Sequence, residues 1–194
     1  MAQIQLERAE FMDGIDLMVE EHKNIKRMLT VIRRACLNVM NGEALNYTDF
    51  ENIIDFVRNY ADRHHHGKEE QFLFNKMIEA GGAAEKLVRH GMLVEHDLGR
   101  LHIKELEEAI VKVRSGDNEA KLDVIANAIG YANLLNRHID KEDEVAYKFA
   151  RRVLNEETLD KVNTECETYE DEMKSNGVQD RYIKLLKSME EKYI

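Results

Sequence analysis

The chain has 194 residues, 34% of them charged and 43% hydrophobic, with no proline and no tryptophan. A net charge of −10 leaves no basic stripe for nucleic acid, no apolar run approaches the roughly 18 residues of a membrane span, and Cys36 and Cys166 are too few for a disulfide framework. The N-terminus, "MAQIQLERAEFMDG", carries acidic residues and no apolar core of signal type, so the expectation is a soluble, cytoplasmic, all-helical chain with room for one domain and an appendage.

In chain order, Asp13 is placed to cap a first helix that runs to about Asn41, ahead of Gly42. Thr48 with Glu51 reads as a capping box opening a second helix, which stops before Gly81-Gly82. A third runs from about Ala83 to Arg114 and a fourth from about Glu119 to Leu154, separated by "SGDN". Asn155 is placed to cap a fifth that ends at "SNG", and a sixth covers about Val178–Tyr193. Four long helices with short connections predict an up-down-up-down bundle over residues 1–154, with 155–194 as a helical extension packed on it. Leu159, Val162, Cys166, Tyr169 and Met173 form the packing face expected of the fifth helix.

The apolar seams of the long helices are interrupted at one kind of residue. The first runs Ile15, Met18, His22, Ile25, Leu29, Ile32, Cys36, Val39; the third runs Met92, His96, Gly99, Ile103, Leu106, Ile110, Val113; the fourth runs Val124, Ala128, Tyr131, Leu135, His138, Glu142, Val145, Phe149. The second runs Phe50, Ile54, Val57, Ala61 and Phe72 through "RHHHGKEEQFLF". At about 100° per residue His65 lies about 20° from Ile54 and Glu69 about 60°, while His66 is about 120° away and His64 about 80° on the other side. His65 and Glu69 are therefore expected to face the core, His64 to sit at a boundary or in solvent, and Glu70 to point away.

Each seam thus offers a histidine, His22, His65, His96 or His138, and two add a carboxylate four residues on, Glu69 and Glu142. Residues i and i+4 share a helix face, so each His-x-x-x-Glu pair can grip one site. Buried carboxylates without partners are expensive; two of them among four imidazoles point to cations. The halves also repeat. "EEHKNIKRML" (20–29) resembles "VEHDLGRLHI" (94–103), "HHGKEEQFLF" (65–74) resembles "HIDKEDEVAY" (138–147), and the histidine separations are 43 and 42 residues. A pseudo-twofold site for two metals bridged by the two glutamates is the natural reading. Taken singly, the other residues read blandly: His90 and His102 as boundary or surface residues, Tyr131 as packing, Cys36 as core.

These motifs, over about Gly14–Arg152, resemble the hemerythrin-like proteins, the HHE cation-binding family, and "MLVEHDLGR" (92–100) is similar to that family's third-helix signature. The resemblance implies a non-haem di-iron site on His22, His65, Glu69, His96, His138 and Glu142. Manganese and zinc also suit such ligands. Four imidazoles, two bridging carboxylates and an oxo or hydroxo bridge leave about two of the positions around two octahedral ions open. Oxygen-carrying hemerythrins resemble this site but have His-x-x-x-His on the third helix; here Met92 stands four residues before His96. His66, Glu21 or Glu95 are candidates to fill the gap in part. The implied function is binding or sensing of oxygen, nitric oxide or peroxide. The alternatives are a di-iron oxidoreductase or iron-sulfur repair or iron-donor factor, and a metal-stapled scaffold whose C-terminal helices dock a protein partner.

Overall fold

Each helix end has a local cause in the structure, a computed structural model that describes residues 12–194. The stretch 1–11, which carries most of the N-terminal segment examined above for a signal, lies outside the described residues. Asp13 caps α1 (Gly14–Met40), its carboxylate accepting from the Ile15 and Asp16 N–H groups. The second helix, α2 (47–80), is opened by Asn46, which accepts the Asp49 N–H at 3.1 Å. The expected Thr48–Glu51 box is therefore not the cap; asparagine, among the strongest N-cap residues, takes that role two residues earlier. Gly81, at φ +71°, makes the turn into α3 (82–114) in a region that residues with a β-carbon avoid. After α4 (121–153), Asn155 caps α5 (Glu156–Ser175) and a left-handed Gly177 leads into α6 (Val178–Tyr193). The described residues contain no strand, and none of these helices is long and apolar enough to cross a membrane.

α1 packs against α2 and α4, and α3 against α2 and α4, which closes an up-down-up-down four-helix bundle. α5 and α6 lie on the outside, against α1, α2 and each other. α5 buries Val162 and Cys166; α6 buries Tyr182, Leu186 and Met189. Arg27 of α1 donates two hydrogen bonds to Glu190 of α6, at 2.8 and 2.6 Å.

Four stretches are wound as π-helix, with i→i+5 hydrogen bonds: Val57–His66, Glu69–Leu73, Val88–Met92 and Glu142–Ala146. Such turns hold one extra residue and shift everything beyond them around the helix. The expected seam of α4 accordingly fails after Glu142: Val145 is 50% exposed, and Ala146, Tyr147 and Ala150 are buried instead. α2 does the same after Glu69, burying Leu73, Phe74 and Met77 while Phe72 is only half-buried. The slower winding over Val57–His66 also overturns the expectation for His64. All three consecutive histidines are buried, His64 at 1% exposure, and α5 covers its outer side through Tyr169, whose ring stacks on it at 5.8 Å.

The interior divides into two apolar regions. One is built on Ile25, Met28, Ile32, Phe50, Phe56 and Leu135 and extends to Leu186 and Met189 of α6. The other is built on Ile15, Met18, Leu73, Phe74, Met77 and Tyr147 and extends to Val162 and Cys166 of α5. Between them runs a band of buried polar residues, so the site lies at the waist of the bundle.

Because the outer helices complete both apolar regions, Leu186→Ala is expected to lower unfolding free energy by about 2–5 kcal/mol. Leu122→Ala, at a residue 67% exposed, should stay within about 0.5 kcal/mol of the parent. Urea titration of the metal-free chain measures both. Equal small effects would show that α6 is not part of the cooperative core.

Candidate metal centre

His22 on α1, His65 on α2, His96 on α3 and His138 on α4 all reach the waist and are buried there, with Glu69 and Glu142. All six residues singled out by the sequence come together. Each imidazole is oriented the same way. His22 Nδ1 meets Asp143 at 2.7 Å, His65 Nδ1 meets Glu21 at 2.8 Å, His96 Nδ1 meets Glu70 at 2.7 Å and His138 Nδ1 meets Glu95 at 2.9 Å. A carboxylate only accepts, so each Nδ1 carries a proton and, in the neutral ring, each Nε2 presents its lone pair. All four Nε2 atoms are buried without a hydrogen-bond partner, as are Glu69 Oε2 and both oxygens of Glu142.

Buried orphan acceptors at one place are rare in folded proteins, and here they face one another. Glu142 Oε1 lies 2.9 Å from His138 Nε2 and 3.6 Å from His96 Nε2, while its Oε2 lies 3.3 Å from His22 Nε2. Glu69 Oε2 lies 3.7 Å from His65 Nε2 and 3.6 Å from His96 Nε2. Two ligand atoms bound at about 2.1 Å and at right angles on one ion stand about 3 Å apart, so this donor set fits metal ions. The rings sort into two pairs, His22 with His65 at 4.5 Å between centroids and His96 with His138 at 4.8 Å. Glu142 presents one oxygen to each pair. Glu69 is not its equal: its Oε1 accepts from the Tyr147 hydroxyl at 2.6 Å, leaving one oxygen for the centre.

The charges of the cluster suit the binding of cations. Burial and the nearby charge of Glu142 push the Glu69 carboxyl well above its usual range. Burial would raise Glu142 too, but His138, His22 and His96 outweigh it and hold that group well below. Burial opposes charge on His22, yet its hydrogen bond to Asp143 and the nearby charge of Glu142 raise it to about 9. Burial and the neighbouring His22 lower His65 to about 4. Protons on Glu69 and His22 thus stand where cations would compete for the same lone pairs.

Sequence reasoning missed the outer layer. Glu70 was expected to point away and instead holds His96; Asp143 holds His22 in the corresponding place. Glu21 and Glu95, candidates for the open positions, turn outward to grip His65 and His138, with Lys68 and Lys141 on their other oxygens. Lys68 is fully buried between Glu21, His64 and Glu170 of α5. Those three acidic and imidazole groups also stand close enough to hold an ion, but the ammonium of Lys68 already occupies the middle of them. The signal for this layer was in the repeat itself. In "HHGKEEQFLF" and "HIDKEDEVAY" the lysines, the Glu70/Asp143 acids and the Phe74/Tyr147 rings fall at matching places. Tyr147 stacks on His22 at 5.6 Å, and Phe74 lies 5.9 Å from His96.

The chain belongs to the hemerythrin HHE cation binding domain family, which matches residues 13–150. Uncharacterized proteins of Mycobacterium bovis and Mycobacterium tuberculosis are each 23% identical over 157 residues, covering 81% of this chain and 59% of theirs. The chain thus spans about three fifths of the length of these curated relatives. No solved structure matches it.

The protonated groups give the metal-free protein a defined pH response. His22 has a raised value in the folded state, so its contribution is complete below its ordinary 6.5 and is lost as pH climbs through about 9. The proton on Glu69 acts in the same direction. Metal-free protein should therefore melt lower at pH 9 than at pH 6.5, by about 3 °C or more, and His22→Gln should flatten the difference. Circular-dichroism melts in chelator test this; a melting point that rises over the interval would contradict it.

Proposed function

We propose that the chain is a non-haem di-iron protein that binds or senses oxygen, nitric oxide or peroxide. The observation that carries this reading is the convergence of four Nδ1-anchored imidazoles, Glu142 and Glu69 on one buried space, with all seven inward ligand atoms unpartnered. In it, His22 and His65 would hold one ion and His96 and His138 the other, with both oxygens of Glu142 and one oxygen of Glu69 available to them. Ions held there supply Lewis acidity and, for iron, electrons to a small ligand.

The protein supplies the rest. Four carboxylates fix the tautomer and direction of each ring and raise its basicity as a ligand. Tyr147, whose hydroxyl burial and the charge of Glu69 keep protonated, holds Glu69 in one orientation. The two apolar regions on either side exclude water. Met92, four residues before His96, provides no imidazole nitrogen, so the His96–His138 side keeps ligand positions for an incoming molecule. Iron suits the mixed imidazole and carboxylate set; manganese and zinc are the competitors. The bundle over 1–154 with 155–194 as an extension, acting in the cytoplasm, remains part of this reading.

Wild-type protein reconstituted anaerobically with ferrous iron should hold two ions per chain. Glu142→Gln should reduce this to one or fewer, because both of its oxygens face the centre. Glu69→Gln should be milder, and Glu144→Gln, which pairs with Lys148 on the surface, should keep two. Iron analysis with Mössbauer spectra reads all four. Two coupled ions in Glu142→Gln would remove the bridging role, and a single ion in wild type would remove the di-iron reading.

A further inference from the structure

The two halves of the site correspond position by position, and two of the places where they differ fall on the same side. Three residues after His22 stands Ile25; three after His96 stands Gly99. One residue after His138 stands Ile139; one after His65 stands His66. Ile25 and Ile139 are buried in the apolar core and fill their side. On the other side there is a cavity of about 90 Å³, lined by Val57, His66, His96, Gly99, Ile103 and Tyr131. A single water needs only about 10–15 Å³ of such space.

The cavity borders the centre, since His96 forms part of its wall. His66 is the partition. Its ring lies parallel to that of His96, 3.8 Å away, and its Nδ1 is tethered to Asp62 at 3.3 Å. Ring nitrogens of His66, His96 and His138 stand within 4.8 Å of one another, but two imidazoles on adjacent positions of one octahedral ion cannot stack face to face, so with its ring as it lies His66 is a wall beside His96 and not a fifth ligand. Tyr131 forms part of the wall, and its hydroxyl is buried with no hydrogen-bond partner. Burial and the charge of Asp62 keep it protonated, and so a donor. At the outer wall Arg58 is paired with Glu107, and Arg100 with Asp62, Glu70 and Asp97, so neither guanidinium is left to attract an anion. At the opposite pair Tyr147 stacks on His22, and Glu21 and the buried Lys68 close the outside of His65.

We propose that this cavity admits and holds an uncharged molecule of two or three heavy atoms that reaches the centre only on its His96–His138 side. Gly99 makes the room, His66 forms the inner wall and the Tyr131 hydroxyl donates a hydrogen bond to the guest. This rests on the small-molecule reading above and names the side and the residues it uses.

Nitric oxide and xenon test it separately. A β-carbon at Gly99 would meet Tyr131 Cε2 at an ordinary 3.5 Å, so Gly99→Leu can be built, with the cavity to receive its longer chain. In iron-loaded protein, nitric oxide association by stopped flow should slow about tenfold or more in Gly99→Leu, with iron content unchanged. Val57→Phe, which narrows the cavity from α2, should do the same and decides the matter if Gly99→Leu does not load iron. Tyr131→Phe should leave association unchanged and speed dissociation about 2- to 10-fold, the loss of one hydrogen bond. In metal-free protein, xenon should bind the wild-type cavity, seen by xenon NMR, and not Gly99→Leu. Unchanged nitric oxide association in both filled variants, or no xenon in wild type, overturns the proposal. Iron-loaded wild type that takes xenon but no nitric oxide overturns the functional reading and leaves only the cavity.

Discussion

Four hydrogen bonds, each from a histidine Nδ1 on one helix to a carboxylate on a neighbouring helix, hold the waist of this bundle together. Asp143 on α4 holds His22 on α1; Glu21 on α1 holds His65 on α2; Glu70 on α2 holds His96 on α3; Glu95 on α3 holds His138 on α4. The bonds run once around the ring of helices and return to the start. Bundle geometry and site geometry are therefore a single constraint: moving any helix against its neighbour turns an imidazole out of line. The same bonds force every Nε2 inward, where it has no partner. An apolar core of similar volume would be easier to stabilise, because each buried unpaired polar group opposes folding by about 1–3 kcal/mol. That opposition is offset by the two apolar regions above and below the waist, and it disappears where a cation takes the lone pairs.

The π-turns belong to the same constraint. Two of them begin at Glu69 and at Glu142, related places in the two halves. A regular helix would bring Phe72 and Val145 onto the seam after these glutamates. The extra residue lets the helix present the carboxylate at the waist and then Phe74 or Tyr147 immediately below it. The two halves differ where the differences bear on chemistry: a hydroxyl on Tyr147 and none on Phe74, a glycine at 99 where the other half has Ile25, and a lysine fully enclosed at 68 but half-exposed at 141. Twofold scaffolding with unequal sides gives the two histidine pairs unequal surroundings.

Most of this was legible in the chain because helical periodicity is a strong signal and histidines stand out on apolar seams. The six inward residues followed from i+4 spacing and from the repeat, without any knowledge of contacts. Three features were not legible, each for a physical reason. The burial of His64 depends on slower winding over Val57–His66 and on α5 lying across it, and a fixed angle of about 100° per residue carries neither. The work of Glu70 and Asp143 lies in contacts between helices, which a single helical face calculation places in solvent. The cavity arises from the absence of a side chain at Gly99, and only comparison with Ile25 makes that absence conspicuous.

The central claim is that two cations sit at the waist, one on each histidine pair, joined through Glu142. Crystals of the reconstituted protein measured above and below the iron absorption edge test it most directly. The account predicts two anomalous peaks, one bonded to the Nε2 atoms of His22 and His65 and one to those of His96 and His138, with the oxygens of Glu142 divided between them. A single peak, or a peak among Glu21, His64 and Glu170 where Lys68 now sits, would contradict it.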